Sequence, residues 1–459
     1  MTIHLHDTRQ GRKIAFVPMK DDEVTMYLCG PTVYNYAHIG NARPAVVFDL
    51  LARVLRRRYK LTFARNITDV DDKINAAAVQ TGKPIGEITA RFIEAYNEDM
   101  AALGVQPPDI EPRATRHIAE MIEMIRTLID KGFAYEAEGH VLFDVERYAD
   151  YGRLSKRNLR EMIAGSRIEV APYKRSSHDF VLWKPSTPEL PGWESPWGVG
   201  RPGWHIECSA MAAAHLGDTI DIHGGGQDLV FPHHENELAQ SRCAHDGADF
   251  ARYWVHNGFL SMDHEKMSKS LGNVVLVREL LESVPGEVIR LALLGAHYRQ
   301  PLDWSEETMD SARRMLDRLY GAVRGIEVGA AARATAEPPD ALVAALEDDL
   351  NTPKAMKEFF ALARALNKTT DAADRAALAA QMYACGDLMG FLQTDPENWF
   401  AGEGSGDLSV DEIDAMLGRR TAAREARDYA AADAIRDELA AAGIGIEDGP
   451  DGTTWRRLE

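Results

Sequence analysis

Cysteine is scarce: 459 residues contain four (Cys29, Cys208, Cys243 and Cys385), with no C-x-x-C pair. Thiols so few and so scattered do not form a disulfide framework; they fit a reducing cytoplasm, where a thiol serves packing, catalysis or metal binding. No apolar run approaches the ~18–20 residues a bilayer-spanning helix needs, so no membrane partner is expected. The opening MTIHLHDTRQGRK has no apolar stretch behind its charges, and no secretory signal is expected. There is no surplus of positive charge either: 52 Lys and Arg against 71 Asp and Glu give −19. That balance opposes indiscriminate binding of phosphate polymers but leaves room for RNA docked on local basic patches. The sequence also lacks G-x-x-x-x-G-K-[ST], which excludes a P-loop. Fixed-period repeats and long low-complexity tracts are missing as well.

What is present reads as a globular protein, 45% hydrophobic and 27% charged. At roughly 150 residues per domain, about three domains are expected. EVTMYLCG reads as a strand, AVVFDLLARVLRRRY as the helix after it, and LTFARNITDV as a second strand. Such alternation predicts an α/β fold with a Rossmann-like parallel sheet. From about 133 to 201 the chain turns rich in Pro, Gly, Ser and Trp, as an inserted connective subdomain of short strands would. After about Leu302 helical periodicity with Ala, Leu, Arg and Glu predicts an α-helical bundle. The expected domains are a catalytic domain over 1–301, a bundle over 302–393, a linker over 394–407 and a small α+β module over 408–459. In that module Gly443 resembles a helix C-cap, and DGPDG a turn between two strands.

Three constellations carry chemistry. CGPTVYNYAHIGNAR lies where a strand turns into a helix, a place that favours anions. Gly30 and Gly40 permit close approach of a phosphate, and His38 and Asn41 can donate to its oxygens. An ordinary corner with a capping Asn fits these residues equally well. In HEKMSKSLGN, Lys266 and Lys269 stand three residues apart in a Ser/Gly loop that suits either closure over a triphosphate or a solvated surface. Finally, GWHIECSAM holds Cys208, and FPHHENELAQS holds His233 and Glu237, which share a helix face at i, i+4. With Cys29 at the end of the first strand they compose a Cys2HisGlu set; buried thiols and solvated acids are the blander reading.

Smaller features remain two-sided. Gly225 and Asp228 follow a strand and suit adenosine and its ribose, or a tight turn. Thr68, Asp69, Asp71 and Asp72 suit a divalent-metal cluster or, the preferred reading, a helix cap, with Thr68 facing a small substrate. Trp204 is either a pocket wall or core. Cys243 and Cys385 sit in helical contexts as packing thiols. Arg53, Arg56, Arg57, Arg58 and Lys60 form an exposed basic helix end or an RNA contact. In the last segment Arg424, Arg427, Arg436, Arg456 and Arg457 suit phosphates; Trp455 suits an unpaired base or the core of a helix pair over a hairpin.

HIGN and KMSKS together resemble the paired signatures of the class I aminoacyl-tRNA synthetases. The resemblance implies a Rossmann-like enzyme that activates an amino acid with Mg2+-ATP and then esterifies tRNA. It implies that His38 and Asn41 steady the ATP phosphates and that Lys269 stabilises the transition state. Asn41 stands where the commonest form of the motif has His; Asn still donates a hydrogen bond but carries no proton. CGPTVYNYAHIGNAR, NITDVDDKI, GWHIECSAM, GGGQDLVFPHHENE and KMSKSLGN, in order, resemble the cysteinyl-tRNA synthetase family across most of the chain. Membership implies one Zn2+ on Cys29, Cys208, His233 and Glu237, L-cysteine, ATP and tRNA(Cys) as partners, an anticodon-reading C-terminal module and a monomer. A metal that binds thiolate explains how sulfur is told from oxygen, which shape alone does poorly. The insertion is short for a separate editing domain. A related ligase that joins cysteine to a glucosaminyl-inositol needs no anticodon module, so the C-terminal segment favours the synthetase. A non-catalytic RNA-binding protein with structural zinc would show no ATP turnover.

Overall fold

In the computed structural model the described residues are 2–158, 171–262, 265–266, 274–401, 408, 410–449 and 452–457. The antiparallel strands β1 (His4–Asp7) and β2 (Arg12–Ala15) precede β3 (Glu23–Leu28), the expected EVTMYL strand. Helix α1 (Ile39–Arg56) follows; Val46, Val47, Leu50, Leu51, Val54 and Leu55 are buried, and Arg53 and Arg56 lie in its last turn, where the helix dipole favours cations. The chain then returns in β4 (Lys60–Arg65), parallel to β3.

Three helices follow: α2 (Asp72–Thr81), α3 (Ile85–Ala102) and α4 (Ile118–Asp130). The expected insertion is a four-stranded antiparallel sheet in the order β5 (Ala134–Ala137), β6 (His140–Phe143), β7 (Phe180–Pro185), β8 (Gly200–Pro202). Helix α5 (Trp204–Leu216) leads into β9 (Ile220–Gly226), α6 (Glu235–Ala244) leads into β10 (Ala251–Asn257), and both strands join the first sheet. Its order is β10-β9-β3-β4, all parallel. The chain leaves β3 toward β4 on one side and comes back to β9 on the other. A crevice therefore opens beyond the carboxyl ends of β3 and β9, the place where open parallel sheets bind ligands.

Gly224 on β9 lets α1 lie close to the sheet. A Cβ there would stand 2.0 Å from Phe48 Cε1, and Phe48 is fully buried. Overpacking of this kind costs about 1–3 kcal/mol. Gly224→Ala is therefore expected to lower the urea midpoint at an unchanged slope; an unmoved midpoint would count against this packing constraint. Arg290, fully buried, ties the same helix down through Asp49 at 2.6 Å and the Met389 carbonyl at 2.8 Å.

Strands β11 (Leu260–Met262), β12 (Glu265–Lys266) and β13 (Leu302–Trp304) form a small sheet, with α7 (Val277–Leu281) and α8 (Gly286–Leu294) between β12 and β13. Helices then dominate, as the periodicity predicts: α9 (Glu306–Val323), α10 (Ala330–Thr335), α11 (Asp340–Glu347), α12 (Thr352–Lys368), α13 (Ala372–Met389) and α14 (Pro396–Ala401). Two compact units result. One comprises Met1–Ala312, Pro339–Glu358 and Leu388–Gly390; the other Arg313–Pro338, Phe359–Asp387 and Phe391–Glu459. Both are discontinuous in sequence. No described helix is long and apolar enough to cross a membrane.

Within the second unit, α15 (Val410–Glu425) and α16 (Tyr429–Ala441) cover the hairpin β14 (Ile444–Gly449) and β15 (Gly452–Arg457). Gly443 ends α16 at φ +75, the left-handed conformation a glycine adopts freely, as the sequence suggested. Ile413, Met416, Leu417, Leu439, Ile444 and Trp455 form the core of this module.

Candidate active site and metal centre

Strand β3 delivers Cys29 to the crevice, α5 carries Cys208, the turn before α6 carries His233, and α6 itself carries Glu237. The i, i+4 spacing closes as expected, with His233 Nε2 2.7 Å from Glu237 Oε1. Cys29 Sγ lies 3.7 Å from Cys208 Sγ and 3.4 Å from Glu237 Oε1, and Cys208 Sγ lies 3.7 Å from His233 Nε2. Zinc bonds of ~2.3 Å to sulfur and ~2.0–2.1 Å to nitrogen or oxygen set tetrahedral edges of roughly 3.3–3.8 Å. The three contacts that involve sulfur fit those edges; the His233–Glu237 contact is a hydrogen bond and shorter. Two soft thiol sulfurs, one imidazole and one carboxylate form a donor set suited to zinc.

A second set of donors, Cys29, His223, His234 and Glu237, also falls within 4.8 Å. His223, on β9, approaches the other oxygen of Glu237 at 2.8 Å. Its place in this cluster was hidden in the sequence, where it reads only as the residue before three glycines. The cluster is electrostatically taut. Burial opposes ionisation of Glu237, yet His233 and His223 hold its carboxyl well below the usual range. The hydrogen bond from Cys29 pushes the Cys208 thiol down to about 6, against its burial. Burial pulls His233 down, but the charge of Glu237 and the bonds to Cys208 and Glu237 together raise it to about 10. A metal ion bound here would have to displace the proton of His233 and those of the thiols, which couples its binding to pH. His205 sets the other side of His233, Nδ1 to Nδ1 at 2.9 Å, and Trp204 stacks on it at 4.1 Å and 19°.

The crevice beyond the cluster has a volume of about 440 Å3, and Cys29, Gly30, His38, Asn41, Trp204 and Asp228 all line it. His38 caps α1. Its Nδ1 accepts from the Asn41 backbone N–H at 3.2 Å, and the Asn41 side-chain oxygen accepts from the His38 N–H at 3.2 Å. The capping that the sequence allowed is therefore present, with His38 as the cap and Asn41 as its reciprocal partner. Gly40 lines the crevice as well.

Lys269 lies outside the described residues, and of Lys266 only the backbone, in β12, is described. The chain beyond that stretch is stitched to the start of α1: Val275 O accepts from Ile39 N at 3.1 Å, and Val277 N donates to Ala37 O at 2.9 Å. The segment that follows the second signature thus lies against the start of α1, and Val274 and Leu276 line the crevice. Gly225 is turned inward, since a Cβ there would meet His234 Cε1 at 2.8 Å, whereas Gly226 and Asp228 face the crevice.

Other expectations resolve as follows. Thr68 is buried and donates its hydroxyl to Glu207 at 3.0 Å. Asp71 caps α2, Asp69 accepts from Thr115, and Asp72 pairs with Lys184 and Arg201, so the acidic run is spent on caps and ion pairs. Trp204 is 40% exposed at the crevice wall rather than in the core. Arg53, Arg56 and Arg58 pair with Asp49, Asp109 and Glu347. Arg427 is exposed between α15 and α16 with φ +61. Of the two readings of Trp455 the structure bears out the core and not the base contact: it is 5% exposed and donates Nε1–H to Asp414 at 3.0 Å. Sequence reasoning also missed Asn66, whose Oδ1 accepts from the Gly30 N–H at 2.9 Å and lies 3.8 Å from Cys208 Sγ.

Comparison with known proteins agrees with this geometry. Residues 15–314 match the model of the class I (C) tRNA synthetase catalytic domain, 341–393 a DALR domain, and 407–456 the cysteinyl-tRNA ligase anticodon binding domain. The chain is 60% identical over 458 residues to the cysteine–tRNA ligase of Parvibaculum lavamentivorans, covering 99% of this chain and 98% of that protein. It is 58% identical to the cysteine–tRNA ligase of Rhodospirillum rubrum over 100% of both. Among solved structures, Mycobacterium tuberculosis methionyl-tRNA synthetase with methionyl-adenylate shares the fold at TM-score 0.55 and 19% identity, covering 80% of this chain and 89% of that one. The ternary complex of Agrobacterium radiobacter LeuRS, tRNA and LeuAMS does so at TM-score 0.58 and 12% identity, covering 84% and 86%. A family match across the crevice domain and relatives alike over nearly their whole lengths place this chain, a ligase, in the cysteine–tRNA ligase family of class I aminoacyl-tRNA synthetases.

Proposed function

We propose that the enzyme activates L-cysteine with Mg2+-ATP to cysteinyl-adenylate and passes the acyl group to the 3′-terminal ribose of tRNA(Cys). In this reading Cys29, Cys208, His233 and Glu237 hold one Zn2+. The observation that carries it is the convergence of those four donors, of which Cys29 lines the same crevice as the capped start of α1. When bound, zinc offers direct coordination to a thiolate, for which a hydroxyl of much higher pKa competes poorly. His205 and Trp204 orient His233, and Trp204 and Thr68 flank the amino acid.

The cysteine carboxylate attacks the α-phosphorus of ATP, and pyrophosphate leaves. The start of α1, with Gly30, Gly40, His38 and Asn41, receives the phosphates through backbone N–H groups and side-chain donors. Lys266 and Lys269 neutralise charge as it builds on the leaving group. Asp228, which faces the crevice, accepts from the ribose hydroxyls of the adenosine. We assign catalysis to 1–301, with the connective insertion at about 133–201, the bundle to 302–393, the linker to 394–407 and anticodon reading to 408–459, with Arg427 among its RNA contacts. The enzyme acts as a monomer in the cytoplasm.

Pyrophosphate exchange tests this reading. Exchange should proceed with cysteine and fall by about 10⁴-fold in kcat/KM with serine, the range reached when a site is built around one polar group. No exchange with either amino acid would remove adenylate formation, and equal exchange would remove selection by the metal.

A further inference from the structure

Part of the crevice wall is assigned to neither ATP nor cysteine in the reading above. Arg65, the last residue of β4, lines the crevice there together with Lys73, Tyr34, Tyr36, Phe92 and Tyr96. Its stem runs beside Gly30, where a Cβ would stand 3.4 Å from Arg65 Cγ. The residue is 2% exposed, and its Nε and Nη1 find no hydrogen-bond partner among the described residues. Its guanidinium instead stands over the Tyr96 ring at 5.2 Å. Buried arginines elsewhere in this unit are met by oxygens: Arg43 by the carbonyls of Gly258 and Gln300, Arg290 by Asp49. A buried guanidinium left unmet is strongly unfavourable unless an anion arrives to meet it.

The neighbouring groups indicate which anion. Lys73 stands over the Tyr34 ring at 5.0 Å, and Arg91 over Tyr36 at 5.4 Å and Phe92 at 5.5 Å. Tyr34, Tyr36 and Phe92 are only partly buried. Aromatic faces beside cations are the means by which proteins hold single-stranded nucleic acid, rings against bases and cations against phosphates. Of the three substrates, ATP is assigned to the start of α1 and cysteine to the metal cluster, which leaves these residues for the third.

We propose that Arg65, assisted by Lys73, binds the terminal phosphodiester of the single-stranded 3′ end of the RNA substrate, with Tyr34, Tyr36 and Phe92 receiving its unpaired bases. This rests on the functional reading above for the identity of the polyanion. The guanidinium fixes the last nucleotide beside Gly30 and Cys29, where the acyl group waits.

The test uses the full-length zinc-loaded enzyme, Arg65→Met and Arg65→Lys, with tRNA(Cys) transcripts that either carry or lack the terminal adenosine and its phosphate. Wild type should bind the intact transcript about tenfold more tightly than the shortened one. Arg65→Met should lose that difference, and its charging should fall about tenfold further than its cysteine-dependent pyrophosphate exchange. Arg65→Lys, which keeps the charge but not the fork, should recover part of both. A preference for the intact transcript that survives in Arg65→Met overturns the proposal. So does a rise in the cysteine KM equal to the loss of charging, which would assign the guanidinium to the amino-acid carboxylate. Parallel loss of exchange and charging in Arg65→Lys would make the residue structural and overturn it too. Absence of cysteine exchange in the wild type would sink the functional reading alone, since the transcript comparison does not depend on it.

Discussion

Cys208→Ser is expected to raise the KM for cysteine by about a hundredfold or more while that for ATP changes little. Loss of a supporting partner alone typically costs 10–100-fold in metal affinity, and a direct ligand matters more. Cys208 is buried and is the residue through which α5 reaches both Cys29 and His233. Serine preserves the helix and nearly the volume but removes the thiolate, whose formation the Cys29 thiol promotes. ATP, held at the start of α1, should not sense the change. Steady-state exchange kinetics with each substrate varied, alongside zinc content by atomic absorption, provide the check. An unaltered cysteine KM with full zinc would remove Cys208 from the ligand set.

Truncation after about Gly404 should separate the two half-reactions. Removal of α15, α16 and the hairpin takes away a module with its own core, held inside by Arg420, which grips Asp448 at 2.7 Å and Thr453 at 3.1 Å. Cysteine-dependent pyrophosphate exchange should largely survive. Charging of tRNA(Cys) should fall by about 10²–10³-fold, the loss expected when two or three base or phosphate contacts worth ~1–3 kcal/mol each disappear. Charging at normal efficiency would show that this module does not read the RNA.

Some of the site was legible because its rules are local. The His233–Glu237 contact followed from helical spacing, the cap that Asp71 places on α2 from capping chemistry, and the start of α1 from the residues that precede an apolar periodic stretch. Other parts were out of reach. Nothing near Arg65 in sequence indicates that it is buried with Nε and Nη1 unpartnered among the described residues, because that depends on Tyr96 and Gly30 arriving from other segments. Trp455 was ambiguous for the same reason: a tryptophan on a short strand faces a base or a core according to what covers it, and here α15 supplies Asp414.

By itself, then, the amino-acid order determined the alternation of strand and helix, the inserted sheet, the helical second half and the family, since periodicity, caps and contiguous motifs are written in neighbouring residues. Only the tertiary structure decided that Cys29, Cys208, His233 and Glu237 share one point, that His223 joins them, and that Arg65 stands buried at the crevice wall. The reason is physical. A parallel sheet joins strands through long crossovers, so residues some 180 to 210 positions apart meet at its carboxyl edge, and burial, charge and coordination come into being only once that edge exists.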